Sequence, residues 1–238
     1  QVGWGEVAPL QQQQFTACEL ALAALPNELP QAQLEALLQE VPGALGFGLG
    51  TALGELQGVV GAASPQGWLK APAPALLLPA GEAMLTALEA VAASAGGLEG
   101  RTFKWKVATE PDPLERQLLE QLLQRLPPTA RLRLDANGGW DRSTAEAWMQ
   151  RLRDEPRLAW LEQPLAVEDQ AGLEQLAALG PVALDESLDQ QPELCGSWSG
   201  WQVRRPALEG DPRVLLRELQ AGVPKRMLST AFETGIGR

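Results

Sequence analysis

Arg133-Leu134-Asp135-Ala136-Asn137, Trp160-Leu161-Glu162-Gln163-Pro164 and Ala183-Leu184-Asp185-Glu186-Ser187 share one design, a short apolar run that ends on a carboxylate. Apolar runs this short, bounded by polar residues, read as buried strands. The first is followed by Ser143–Leu152 and the second by Val167–Leu179, both with apolar residues at helical spacing. Working outward, the same pair recurs: Leu76–Leu78 before Glu82–Ala93, Thr102–Val107 before Pro113–Leu126, and Gly200–Val203 before Pro212–Ala221. Val182–Leu184 precedes a short polar stretch, and Arg226–Ala231 comes last. Strands alternating with helices in this way predict a parallel sheet, because a parallel pair needs a crossover that a helix supplies. An open doubly wound sheet would carry a glycine-rich phosphate turn after its first strand, and no G-x-G-x-x-G or G-x-x-x-x-G-K-[ST] stands there. A barrel explains better why charged residues sit at or just beyond successive strand ends, since a barrel builds its site on that face. The expected fold class is α/β, a (β/α)8-type, TIM-like barrel left incomplete at seven strands.

The region before Leu76 has a different texture. Gly3–Ala8 reads as a short extended piece ended by Pro9, followed by helices over Phe15–Leu25 and Gln31–Glu40. Gly46–Leu56 reads as a third helix despite its glycines, which weaken a helix but permit close packing on it. The run Gln11–Gln14 reads as a surface loop entering a helix, and 61–74 as a connection between two regions.

Composition narrows the chemistry. The 238 residues contain no histidine, so imidazole cannot serve as base or metal ligand, and proton transfer falls to lysine or a carboxylate. Cys18 and Cys195 show no C-x-x-C spacing, which speaks against a thiolate zinc site or a disulfide scaffold and for a reducing, cytoplasmic setting. A net charge of −11 speaks against nucleic-acid or anionic-membrane partners. The longest apolar stretch is broken by Pro72, Pro74 and Pro79, well short of the roughly 20 residues a membrane helix needs.

Asp135, Glu162 and Asp185 are each about one βα unit apart, so neighbouring parallel strands would carry them to one end of the sheet. Three carboxylates there repel one another unless a cation sits among them, and an all-oxygen set suits Mg²⁺, with Mn²⁺ as the alternative. The bland alternative is three solvated loop carboxylates. Lys104 and Lys106 lie two apart, on one face of a strand, with Trp105 turned the other way toward the helices. A partly desolvated lysine near a second cation is suited to act as a base; otherwise such lysines protect an edge strand. Arg204-Arg205-Pro206 ends the sixth strand, where arginine can hold a carboxylate or a ring but cannot accept a proton.

These residues, Lys104-x-Lys106, Asp135-Ala136-Asn137, Glu162-Gln163-Pro164, Asp185-Glu186-Ser187 and a basic residue before Pro206, resemble the enolase superfamily and its muconate-lactonizing subgroup. Such sites use a lysine or histidine base beside one or two Mg²⁺. Arg205–Gly210 and Ser229–Gly237 are similar to segments of the o-succinylbenzoate synthase family within that subgroup. The resemblance implies a small-molecule carboxylate substrate and a Mg²⁺-dependent dehydration with Lys106 as base and Lys104 supporting it. It also implies Asp135, Glu162 and Asp185 on the metal, Arg205 opposite the base, and Arg133, Asn137 and Ser229 against substrate. Arg205 stands where most members carry a second lysine. This counts against an epimerase, which needs a base on each face of its carbon. Cycloisomerization, epimerization and a non-catalytic barrel remnant that binds a partner stay open, and no oligomeric state is implied. The resemblance further implies that 1–70 is part of an α+β capping domain, with Gly3–Leu10 as one of its strands. Residues 71–238 are then the barrel without its eighth unit, as expected of a fragment.

Overall fold

The computed structural model describes residues 2–61, 64, 65, 72–235 and 237. The apolar runs form strands β1 (Leu76–Leu78), β2 (Thr102–Lys106), β3 (Arg131–Asp135), β4 (Leu158–Glu162), β5 (Val182–Leu184), β6 (Trp201–Arg204) and β7 (Arg226–Leu228). They lie side by side in chain order, and β1 to β5 are each parallel to the next. Chain-order parallel strands joined through helices form the wall of a (β/α)8 barrel, of which the described residues supply seven strands. Helices α1 (Gln12–Ala24), α2 (Gln31–Leu37) and α3 (Gly43–Leu56) precede the sheet. Between the strands run α4 (Ala83–Ala92), α5 (Asp112–Arg125), α6 (Arg142–Leu152), α7 (Gln170–Leu179), the short α8 (Glu186–Gln190) and α9 (Leu194–Ser197), and α10 (Pro212–Gln220). The polar stretch after β5 is thus two short helices.

The chain divides into two compact units, Pro72–Gln202 and Gln1–Ala71 with Val203–Arg238. In the first, the period-two alternation of the strands sorts the side chains. Phe103 and Trp105 of β2, Leu132 and Leu134 of β3, Leu161 of β4 and Leu184 of β5 are fully buried against Leu118 and Leu122 of α5, Trp148 and Leu152 of α6, and Leu173 and Leu176 of α7. Each such side chain contributes about 1.5–3 kcal/mol by leaving water. The other face of the same strands is left to Lys104, Arg133, Asp135, Trp160 and Glu162. Asp141 and Asp169 begin α6 and α7 by accepting from the amides of Thr144 (2.7 Å) and Gly172 (3.0 Å), which satisfies donors that a helix start leaves over.

The second unit corrects three expectations. Gly3–Ala8 forms no strand; it runs along α3 with glycines on both sides of the contact, and a Cβ on Gly48 would lie 2.8 Å from Val7 Cγ2 and 3.0 Å from the Glu6 carbonyl oxygen. The α3 glycines therefore do permit close packing. Gln12–Gln14 are not loop but the first turn of α1, as suits glutamine's fair helix propensity. Helix α2 stops at Leu37, short of Glu40. Most of the connection 61–74 lies outside the described residues.

Candidate active site

The pairing register assembles the site. Lys106 stands beside Asp135, Asp135 beside Glu162, and Glu162 beside Ala183, while one layer below Lys104 stands beside Arg133 and Arg133 beside Trp160. Paired residues of parallel strands point to the same side, so both layers project from the face opposite the helices. Strand β2 is bonded on both sides, to β1 and β3, so its lysines do not guard an edge.

The Lys104 ammonium bridges Asp135 Oδ2 at 2.7 Å and Glu162 Oε1 at 2.6 Å. The second oxygen of each carboxylate is also held: Asn137 N–H donates to Asp135 Oδ1 (3.1 Å) and Trp160 Nε1–H to Glu162 Oε2 (3.0 Å). Glu162 is 0% exposed, Asp185 2% and Asp135 6%. Burial pushes the Glu162 carboxyl up, and Lys104 offsets only part of that. Burial alone would push the Lys104 ammonium down, but Glu162 and Asp135 outweigh it and hold the group above the usual lysine range. Burial lowers Arg133, with Glu162 opposing, and its guanidinium lies 4.2 Å from the centre of the Trp160 ring, which in turn stacks on Trp201 at 4.6 Å. Lys106 is exposed at the end of β2.

Among the described residues, no three carboxylate or thiol side chains gather closely enough to hold an ion as they stand. The ammonium of Lys104 draws two of the three onto itself. The donor chemistry nonetheless fits a hard divalent cation. It comprises three buried carboxylates on consecutive strand ends with one ammonium among them, and each oxygen of Asp135 and Glu162 is oriented by one donor, leaving a lone pair for a metal.

Strained backbone marks the same end of the sheet. Ala108, Asn137 and Gln163, just past β2, β3 and β4, have φ of 60°, 45° and 36°, a region that non-glycine residues occupy mainly where function or tertiary structure demands it. The loop after Lys106 is held by Glu115, which is 1% exposed and accepts from the amides of Ala108 (2.9 Å), Thr109 (3.0 Å) and Glu110 (3.1 Å). Asn137 is exposed and donates its side-chain amide to Glu186 at 2.8 Å. The structure thus brings together Lys104, Arg133, Asp135 and Glu162, and places Lys106, Asn137 and Asp185 at the same strand ends.

Arg205 and Ser229 belong to the other unit. There Arg204 is buried and paired with Glu209 (2.5 Å) and Glu218 (3.5 Å), while the Arg205 amide donates to Glu209. Ser229 is half-buried, its amide donating to the Arg204 carbonyl at 2.8 Å. Sequence reasoning missed Glu115, Gln163 and Trp160 as parts of the site. Trp160 carried a signal, two residues before Glu162 and so on the same strand face, and Gln163 stood within the Glu162-Gln163-Pro164 motif without a role of its own.

The family profile described as enolase C-terminal domain-like matches residues 83–194. The o-succinylbenzoate synthase of Thermosynechococcus vestitus is 40% identical over 147 residues, 58% of this chain and 46% of that protein. A hydrophobic dipeptide epimerase of a Flavobacteria bacterium is 37% identical over 97 residues, 38% of this chain and 28% of that protein. The chain thus spans about half or less of the length of these curated relatives. The crystal structure of o-succinylbenzoate synthase from Thermosynechococcus elongatus, solved with Mg in its active site, superposes with a TM-score of 0.79 at 32% identity, covering 99% of this chain and 74% of that one. Muconate cycloisomerase from Pseudomonas fluorescens shares the fold at a TM-score of 0.70 and 21% identity, over 99% and 73% of the two chains. With a crystallised relative at this identity covered over most of its length, and strand ends that carry the Lys-x-Lys and three-carboxylate pattern, the chain belongs to the enolase superfamily, in its enolase C-terminal domain-like family.

Proposed function

We propose that the chain carries the catalytic part of an o-succinylbenzoate synthase, a hydro-lyase that removes water from 2-succinyl-6-hydroxy-2,4-cyclohexadiene-1-carboxylate to give 2-succinylbenzoate, a step of menaquinone or phylloquinone biosynthesis. The observation that carries the reading is the Lys104 bridge between two buried carboxylates, with Lys106 one layer above it on the same strand face. Asp135, Glu162 and Asp185 would hold a divalent cation, which would supply positive charge against the negative charge that builds on the substrate carboxylate. Lys106 takes the proton from the carbon bearing that carboxylate. The same lysine, now an ammonium, returns a proton to the departing hydroxyl, so one group on one face completes a syn elimination and water leaves. Lys104 stays protonated between its two carboxylates and holds them in place. Arg133, Asn137 and Ser229 are assigned to substrate, and Arg205 to holding its ring without taking a proton, since arginine does not exchange protons near neutral pH.

The assignment of 1–70 to a partial cap and 71–238 to the barrel belongs to the same reading, as does a cytoplasmic setting. The latter is supported by two free cysteines. Among the described residues, no helix is long and apolar enough to cross a membrane. The test is an assay for 2-succinylbenzoate with Mg²⁺, with chelator, and with a dipeptide as rival substrate. Turnover is expected with Mg²⁺ alone, and Lys106→Ala is expected to abolish it while still binding Mg²⁺. Turnover that persists in chelator, or epimerization of the dipeptide, would overturn the assignment.

A further inference from the structure

Gln163 stands directly after Glu162 and is 0% exposed. Its φ of 36° turns its side chain out of the strand alternation and toward the end of β5. There the side-chain oxygen accepts from the amides of Asp185 (3.1 Å) and Ser187 (3.1 Å), while the side-chain nitrogen donates to the Leu165 carbonyl (3.0 Å) and the Ser187 hydroxyl (2.8 Å). Both donors and both acceptor positions of the amide are thereby used, and only one orientation of the group satisfies all four partners. Its backbone amide also donates to the Ala183 carbonyl at 2.9 Å. Gln163 therefore grips the chain on both sides of Asp185, at the peptide entering it and at the one two residues on. It is joined covalently to Glu162.

We propose that Gln163 is a positioning residue that sets the Asp185 carboxylate relative to Glu162 and thereby the affinity for the divalent cation. The inference rests on the reading of Asp135, Glu162 and Asp185 as the cation site. A glutamine that only filled buried hydrogen bonds would affect stability, whereas one that orients a ligand affects metal affinity beyond its effect on stability. Groups that orient metal ligands typically change affinity by about 10–100-fold when lost.

The experiment is calorimetric titration of the full chain with Mg²⁺, together with thermal melts. The variants are Gln163→Met, Ser187→Ala, the double variant, and, as a core control in the same unit, Leu173→Ala of α7, which is 1% exposed and makes no hydrogen bond to Asp185 or Gln163 through its side chain. Gln163→Met is expected to weaken Mg²⁺ binding by about tenfold or more, while Leu173→Ala melts lower yet keeps wild-type affinity. Ser187→Ala, which removes one of the four partners, is expected to show a smaller loss, and the double variant no more than Gln163→Met alone. Should Gln163→Met fail to fold, wild-type affinity in folded Ser187→Ala would overturn the inference. Wild-type affinity in Gln163→Met, or an equal loss in Leu173→Ala, would overturn it as well and leave the cation site standing. A wild-type chain that binds no Mg²⁺ would overturn the site and the inference together.

Discussion

Lys104 and Lys106 are two residues apart on one strand face, and their surroundings give them opposite tasks. The ammonium of Lys104 is committed to two carboxylates and held above the usual lysine range by them, with burial opposing. Lys106 is exposed at the strand end, where a substrate can reach it. Lys104→Met keeps most of the side-chain volume but leaves Glu162, which is 0% exposed, without its countercharge. Removing one partner of a buried ion pair costs about 3–5 kcal/mol. The lower end applies here because Lys104 keeps some contact with water, which places the loss near 10 °C in Tm for a chain of this size. Added Mg²⁺ is expected to restore part of that loss in melts of the variant. A Tm within about 2 °C of wild type would show that the bridge contributes little. The two lysines and three carboxylates were legible in the sequence because strand alternation and βα spacing convert position directly into place. Gln163 was not, since its left-handed backbone takes it off the alternation. Glu115 was not, because it reaches back from a helix to three loop amides that no local spacing connects to it.

The helices depend on what satisfies their ends, and α5 is finished by a residue far away in the chain. Arg157, just before β4, donates through Nη1 to the carbonyls of Leu123 (2.6 Å) and Leu126 (2.7 Å), while its Nε and Nη2 hold Glu155 at 2.6 and 3.0 Å. Hydrogen bonds from Arg157 hold the Glu155 carboxyl below the usual glutamate range, with burial opposing. Arg157→Met is expected to cost about 2 kcal/mol at neutral pH through the lost carbonyl and carboxylate bonds. Because the folded carboxyl is depressed, its share of stability is complete above the ordinary glutamate value of about 4.3 and is lost as the pH falls through the depressed value. Melts from neutral pH into acid should therefore show the gap between wild type and Arg157→Met narrowing below about pH 4 without closing, since the carbonyl bonds persist. A gap that widened in acid would contradict the pairing. Strand and helix existence was readable from periodicity throughout the sheet. The strand that the family resemblance implied at Gly3–Leu10 is not formed, because this short extended piece finds its partner in the glycine face of α3 and not in another strand.

At the scale of the whole molecule, the two compact units differ in how they are built. Pro72–Gln202 contains one continuous core that joins β1 through β5 to the helices between them. Among the described residues, the other unit has small clusters, Cys18, Ala44 and Leu45 in one, and Phe47, Ala207 and Ala231 in another. Local opening free energies follow buried apolar contact, so amide hydrogen exchange should be slowest in β2, β3, β4, α5 and α6 and distinctly faster in α1 and α2. The three carboxylates assigned to the cation all belong to Pro72–Gln202. A ligand that binds only the folded state adds about 2.7 kcal/mol of stability at a hundred times its Kd. Mg²⁺ at that excess should therefore slow exchange in the slowest amides of β3, β4 and β5 by roughly a hundredfold where they open by unfolding of the unit, and leave α1 and α2 unchanged. The check is exchange followed by mass spectrometry with and without Mg²⁺. Equal slowing of α1 would mean that the two units open as one, and no slowing in β3 to β5 would remove the cation from these strand ends.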